Sequence, residues 1–298
     1  MGQINAFSID VEDWFQVSAF APHIAPSRWQ DLPCRVERNV DLLLGLLDDA
    51  GVRATFFTLG WICERYPATV RRIVAAGHEL ANHGYSHQRA SDQTREEFRE
   101  DLAKARDLLE QTGGVRVIGY RAPSFSIGES NRWAHDVVLE TGHRYSSSVY
   151  PVAHDHYGMP DAPRFVHRLP NGLVEIPPAT IRWGGRNWAI GGGGWFRLLP
   201  YPVSAWGLRR INAVDRRPAV VYYHPWEFDP EQPRVAQAAL RSRFRHYLNL
   251  HRTEPRIRQL LRDFHWDRVD CVFADDLSAR RECTTPSVAT RAAFGTPT

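Results

Sequence analysis

Four short stretches of the 298-residue chain carry side chains that could perform hydrolysis together. The first, Ser8-Ile9-Asp10-Val11-Glu12-Asp13-Trp14, sets three carboxylates at the end of an apolar run that reads as a buried strand. Side chains alternate along an extended chain, so Asp10 and Glu12 share a face, and Asp13 joins them only if the strand has already turned. Taken alone, the stretch reads more readily as an acidic loop facing water. The second, His83-Gly84-Tyr85-Ser86-His87, spaces two imidazoles so that one helical turn brings them to the same side of a metal ion. It lacks the glutamate of the metalloprotease HExxH pattern, and 13 histidines make chance pairs common. The third, Gly119-Tyr120-Arg121-Ala122-Pro123-Ser124-Phe125, follows a strand end with an arginine and a rigid proline turn, which can set a guanidinium against a carboxylate. The fourth, Val220-Val221-Tyr222-Tyr223-His224-Pro225-Trp226-Glu227, is a β-rich run ending in one histidine, a residue that in isolation is more often structural.

The elements that must position these groups alternate between strand and helix. Strands are predicted at Ile4 to Ile9, 54 to 59, 78 to 82, Val117 to Tyr120, Tyr145 to Val149, Val174 to Ile176, Ala219 to Tyr223 and Val269 to Phe273. Helices are predicted at Val36 to Ala50, Pro67 to Ala76, Glu96 to Gln111, Asn131 to Thr141, Val203 to Ala213, Val235 to Tyr247 and Glu254 to Phe264, with Gly51 and Gly77 as stops. Repeated βα units imply an α/β fold with a mostly parallel sheet, open or closed as a barrel, whose active site gathers at the carboxyl ends of the strands. Between Tyr150 and Tyr201 seven prolines and the run Gly191 to Gly194 break any long helix and mark an irregular insertion. No Lys-Ser or Lys-Thr follows the glycines, which argues against a phosphate-binding loop and for a flexible substrate-side loop. From 281 to 298 the chain loses periodicity and reads as a loosely held tail.

Composition narrows the class further. With 43% hydrophobic residues and 10 Trp the chain can bury a sizeable core, which excludes intrinsic disorder, collagen and disulfide scaffolds. A net charge of +3, dispersed along the sequence, excludes nucleic acid and an anionic membrane as expected partners. Cys34, Cys63, Cys271 and Cys283 form no CxxC pair and are expected to be free thiols. No apolar run is long enough to span a bilayer, and the first residues lack a secretory pattern, so a cytoplasmic protein without a transmembrane segment is expected.

In this order, the acidic strand end, HxxxH, Arg-x-Pro and strand-terminal His resemble the NodB-homology polysaccharide deacetylases, carbohydrate esterase family 4. The likeness extends over roughly residues 4 to 275, and HELANHGYSH is especially similar to the family's second motif. SIDVEDWFQ, GYRAPSFS, SSSVYPVAHDHYGMPDAPR and HPWEFDPEQPR further resemble the subgroup found beside exopolysaccharide and exosortase loci. The resemblance implies a distorted barrel of about seven βα units over residues 1 to 280, and hydrolysis of N-acetyl groups on a glycan. It implies a divalent metal, zinc by preference, on His83, His87 and a carboxylate of the first motif. It makes Asp10 the general base, Arg121 its anchor, His224 the general acid, and a backbone N–H near Ser124 part of the oxyanion site.

This chain departs from the family's pattern twice. The family places adjacent aspartates at the first motif, base then ligand, whereas Val11 intervenes here; shared-face geometry favours Glu12 as the ligand, and side-chain type with some bending favours Asp13, toward which the reading leans. The family's fourth motif supplies an aspartate that orients the acid histidine, yet Tyr145-Ser146-Ser147-Ser148 offers only hydroxyls, leaving Asp155 and Glu227 as candidates. Among the tryptophans, Trp14, Trp61, Trp188, Trp195 and Trp226 are candidates to stack on sugars, Trp226 beside the acid histidine foremost. Competing readings are a hydrolase of non-sugar amides on the same barrel, an inactive glycan-binding protein, and a structural metal site.

Overall fold

The computed structural model describes residues 2–154 and 158–278. The tail expected from 281, together with Cys283 and Asp155, lies outside the described residues.

The chain opens with β1 (Ile4–Val11), whose Phe7, Ile9 and Val11 alternate with Ala6, Ser8 and Asp10, all buried. A strand covered on both faces belongs in the middle of a parallel sheet. There follow α1 (Val36–Asp49), β2 (Thr55–Thr58), α2 (Gly60–Arg65), α3 (Pro67–Ala75), β3 (Glu79–Asn82), α4 (Arg95–Gly113), β4 (Gly119–Tyr120), α5 (Ala134–Glu140) and β5 (Tyr145–Ser146). The helix ends follow local chemistry. Thr94 and Glu97 cap each other's backbone at the start of α4, and Gly114 closes that helix with φ 67°, a left-handed conformation that a Cβ would strain.

Next come β6 (His167–Arg168), β7 (Val174–Glu175), the hairpin β8 (Thr180–Trp183) and β9 (Arg186–Ala189), α6 (Gly193–Leu198) and α7 (Tyr201–Arg210). The chain returns through β10 (Val220–Tyr223), α8 (Leu240–Tyr247), α9 (Thr253–Asp263), β11 (His265–Asp267) and α10 (Val269–Val272). The main sheet runs β10-β1-β2-β3-β4-β5-β7-β6, parallel except for the β6–β7 pair. β11 shares with β2 the edge of β1 opposite β10, pairing Ile4–Ala6 while β2 pairs Ser8–Val11. This curled sheet carrying helices is the distorted α/β barrel expected, with the insertion partly β as read.

Two expectations need correction. Val269 to Phe273 is not a strand: its apolar side chains pack as helix α10 among Ala6, Phe57 and Val220, and the strand is the preceding His265–Asp267. Nor is Gly191 to Gly194 a flexible loop. Gly191 and Gly192 run beside β10, where a Cβ would meet Val220 O at 2.5 Å and Tyr222 Oη at 2.5 Å, so the glycines permit close packing. Cys34, Cys63 and Cys271 are free thiols. Among the described residues no helix is long and apolar enough to cross a membrane.

Candidate active site

Because the strands are parallel, their carboxyl ends meet at one end of the sheet, and backbone hydrogen bonds continue the rungs past the strands. His83 N–H donates to Thr58 O (3.1 Å), Arg121 N–H to Asn82 O (2.9 Å) and Ser147 N–H to Tyr120 O (2.8 Å). Asp10 lies in β1 and His224 directly after β10, so the four sequence motifs converge without any long loop.

Asp10 is buried and its Oδ1 accepts from Arg121 Nη1 at 2.6 Å. The wholly buried guanidinium also donates to Ser8 Oγ (2.9 Å) and Ser147 Oγ (2.9 Å), and lies 4.1 Å from the centre of the Phe57 ring. Ser147 and Ser148, where the family's aspartate was sought, therefore brace the arginine loop: Ser148 Oγ accepts from Ala122 N–H at 2.9 Å. A buried arginine must have all its donors met, and these partners hold it to one geometry.

Glu12, His83 and His87 each bring a ligand-type atom within 4.8 Å of the others. His83 Nδ1–H donates to Arg121 O at 2.8 Å, which leaves its Nε2 as the lone-pair atom. Glu12 Oε2 lies 2.6 Å from His87 Nε2, yet it accepts no hydrogen bond among the described residues. Two lone-pair atoms buried side by side in this way suit a shared cation, and this donor set fits zinc. Burial pushes the His83 pKa down to about 4, keeping it neutral as a ligand must be. Burial works to raise the Glu12 pKa, but His87 and His224 overcome it and hold the carboxyl well below the usual range.

The lean toward Asp13 is overturned by this geometry. Glu12 N–H bonds back to Asp10 O at 3.0 Å, so the chain turns sharply and Asp13 departs from the face shared by Asp10 and Glu12. Its Oδ1 accepts from Trp14 N–H (2.7 Å) and its Oδ2 from the backbone N–H groups of Arg35 and Val36. Asp13 thus caps the start of α1 from a distance.

His224 Nε2 faces both carboxylates, 3.5 Å from Glu12 Oε1 and 3.9 Å from Asp10 Oδ2. Its Nδ1 is 2.7 Å from Glu227 Oε1, and the other oxygen of that buried carboxylate accepts from Arg197 Nε at 2.7 Å. Burial alone would lower the His224 pKa, but Glu12 and Glu227 raise it to about 9. Of the two candidates to orient this ring, Glu227 is in contact with it. Arg197 and Gly193 were missed in the sequence: a Cβ on Gly193 would lie 2.1 Å from Glu227 Oε1.

Trp226 is not an open platform for a sugar. Its indole N–H donates to Glu12 Oε1 at 3.1 Å, and its ring is stacked with His224 (5.1 Å between centroids) and His246 (4.1 Å). Trp14 and Trp61 are also buried, whereas Trp188 and Trp195 are exposed. Ser124 sits half-buried with φ 55° and ψ 25°, its hydroxyl 2.6 Å from Ser18 Oγ. A serine and the following Phe125 both at positive φ form a strained turn at the edge of the site.

A curled parallel sheet with paired histidines and carboxylates at its carboxyl end defines an α/β barrel with a candidate metal site, and known proteins narrow it. A crystal structure of a Mycobacterium smegmatis protein, provisionally assigned as a polysaccharide deacetylase, has this fold with a TM-score of 0.57 at 19% identity, covering 97% of this chain and 96% of that one. Residues 28–146 match the polysaccharide deacetylase family model, and residues 147–274 match a domain of unknown function, DUF3473. The chain is 34% identical over 93 residues to a Bacillus cereus peptidoglycan-N-acetylglucosamine deacetylase, covering 31% of this chain. It is 30% identical over 113 residues to a Helicobacter pylori peptidoglycan deacetylase, covering 38% of this chain. It is 34% identical to a peptidoglycan deacetylase-like protein of Gibberella zeae, covering 65% of this chain. The matched stretch spans 34%, 38% and 59% of these three relatives' own lengths. By these matches the chain carries, over residues 28–146, a polysaccharide deacetylase domain of the NodB type, carbohydrate esterase family 4. The site crosses both matched stretches, with His83, His87 and Arg121 from one and Arg197, His224 and Glu227 from the other.

Proposed function

We propose that this protein is a metal-dependent N-deacetylase, removing acetyl groups from amino sugars of a bacterial exopolysaccharide or its precursor. The observation that carries the reading is the Glu12–His83–His87 cluster beside a braced carboxylate, Asp10, and an oriented imidazole, His224, whose Nε2 faces both Glu12 and Asp10. A divalent cation, zinc by preference, would be held by Glu12, His83 and His87; when bound it supplies Lewis-acid polarisation of the acetyl carbonyl and a more acidic water.

The chain's own groups account for the proton transfers. Asp10, held in place by the buried Arg121, takes the proton of the attacking water at its Oδ2, the oxygen not bonded to Arg121. The carbon–oxygen bond forms as the water adds, and the oxyanion is received by the backbone N–H near Ser124. His224, protonated at Nε2 and holding Glu227 through Nδ1–H, gives its proton to the departing nitrogen as the carbon–nitrogen bond breaks. The products are acetate and a free amino sugar. Trp226, donating to Glu12 and lying along the His224 ring, fixes both groups and excludes water.

Acetate release from N-acetylglucosamine oligomers tests this reading, run on the native protein, after chelation, after zinc restoration and with Asp10→Asn. Release that is lost on chelation, restored by zinc and absent in the variant is expected. No release from any oligomer would favour a glycan-binding protein, and release unchanged by chelation would remove the metal from the reaction.

A further inference from the structure

The insertion after β5 shapes a second concavity, a cleft of about 1030 Å³ lined by residues 152–154 and 160–165 on one side and by the elements β8, β9 and α6 on the other. Trp188 on β9 and Trp195 on α6 line it and are 49% and 38% exposed, unlike the three buried tryptophans discussed above. Arg182 and Arg186 also line it; both are exposed, and neither side chain has a hydrogen-bond or ion-pair partner among the described residues. The contrast with the neighbouring Arg164 is informative, because that guanidinium is engaged by Thr180 O (2.6 Å) and Asp215 Oδ2 (3.0 Å). With Arg164 so neutralised, Asp161 is the single acid lining the cleft among the described residues, and positive charge dominates. Asn187, also in the lining, buries an Oδ1 that has no hydrogen-bond partner among the described residues.

The cleft adjoins the candidate active site. Val152 and Ala189, both in its lining, pack with Tyr222, whose ring meets that of His224 edge-on at 5.8 Å between centroids. A ligand held in the cleft is therefore one side chain away from the imidazole that faces Asp10 and Glu12.

We propose that this cleft is a subsite for a carboxylated sugar of an anionic glycan, with Trp188 and Trp195 against the sugar faces and Arg182 and Arg186 on the carboxylate. The proposal rests on the glycan reading above and narrows its substrate class. Indole faces suit the C–H face of a pyranose, and the planar guanidinium fork matches a carboxylate in two parallel hydrogen bonds. The buried Asn187 oxygen is an acceptor placed for a sugar hydroxyl.

Calorimetric titration of the full chain with a hyaluronan hexasaccharide, which alternates glucuronate and N-acetylglucosamine, and with neutral chitohexaose tests the proposal. The acidic oligomer is expected to bind about tenfold more tightly at low salt, as one charge-assisted contact provides. That advantage should shrink as salt rises and vanish in the Arg182→Gln/Arg186→Gln double variant, and Trp188→Ala should weaken both oligomers. Because these side chains are exposed, the variants keep the fold, which thermal unfolding checks. Equal affinity for the two oligomers, no binding of either, or a preference that survives the double substitution overturns the proposal. So does arginine-dependent binding to phosphatidylglycerol vesicles without preference between the oligomers, which would assign the patch to a lipid surface. Binding is read without turnover: absent acetate release would defeat the catalytic reading while a preference for the acidic oligomer still stood, and the converse result would separate them equally well.

Discussion

Replacing Glu227 by Gln removes one charge from the buried chain Arg197–Glu227–His224 while keeping its shape. Arg197 Nε–H lies 2.7 Å from Glu227 Oε2 and still needs an acceptor, so the amide oxygen of the variant must face Arg197. The amide NH₂ then faces His224, whose Nδ1 is 2.7 Å from Glu227 Oε1 and whose backbone N–H is 3.2 Å from that same oxygen. Nδ1 is forced to accept rather than donate, and the doubly protonated ring loses its partner. One hydrogen bond to a charged acceptor is worth roughly 1.5–3 kcal/mol. That corresponds to a loss of roughly 10- to 150-fold, and complete loss of the acid step would approach about 10⁴-fold. Acetate release should therefore show kcat reduced by about 100-fold with KM little changed. Arg197 keeps the carbonyls of His246, Leu248 and Arg245, so the fold should survive with a lowered melting temperature. A variant that folds and retains full kcat would refute the assignment of His224 as the proton donor, or of Glu227 as its partner.

Other consequences can be checked separately. Asp13→Ala removes the acceptor of three backbone N–H groups and should destabilise by about 1–2 kcal/mol in denaturant unfolding, with zinc affinity by equilibrium dialysis unchanged; Glu12→Gln should reverse that pattern, weakening zinc by about 100-fold or more. Gly193→Ala drives a methyl to within 2.4 Å of the Glu227 carboxylate atoms, so a stability loss of about 1–3 kcal/mol by thermal unfolding should accompany a drop in kcat. His78, which accepts from Ala54 N–H through Nδ1, has its pKa pushed down to about 4 by burial. The unfolded chain then takes up a proton at this residue before the folded one does, so stability falls as pH drops from about 6.5 toward 4. The melting-temperature difference between wild type and His78→Asn should shift against wild type in that window, and a constant difference would contradict the burial argument.

How much of this could be read from the sequence depended on whether the signal was local. β1 and β2 are runs of apolar residues buried on both faces, and α1 and α3 end near glycines, so order and type were legible. Asp10, His83, Arg121 and His224 each sit at a strand end, with His87 in the turn just beyond one, where βα architecture gathers functional groups, and the structure brings them together. Glu12 against Asp13 was decided by a single backbone turn after Val11, which residue types do not encode. The strand at the chain's end was misplaced because β11 has only Trp266 fully buried, while the apolar density lies in α10 just beyond. Glycines 191 to 193 look flexible by composition, and only the backbone, ring and carboxylate pressed against them reveal crowding. Arg197 is thirty positions from the glutamate it holds, and no pattern in the chain announces such a pairing.

The adjacency of β1 and β10 also bears on how this chain could be rearranged. The first strand takes one edge partner, Val220–Tyr223, from beyond residue 200, and the turn carrying His224 follows immediately on that partner. A scission at residue 146, where the two recognisable stretches abut, would leave the leading fragment with Asp10, His83 and His87 but a bare strand edge, and the trailing fragment with His224 apart from the carboxylates it faces. Neither piece is a transferable module, so shuffling between relatives should succeed only where the leading and trailing parts travel together.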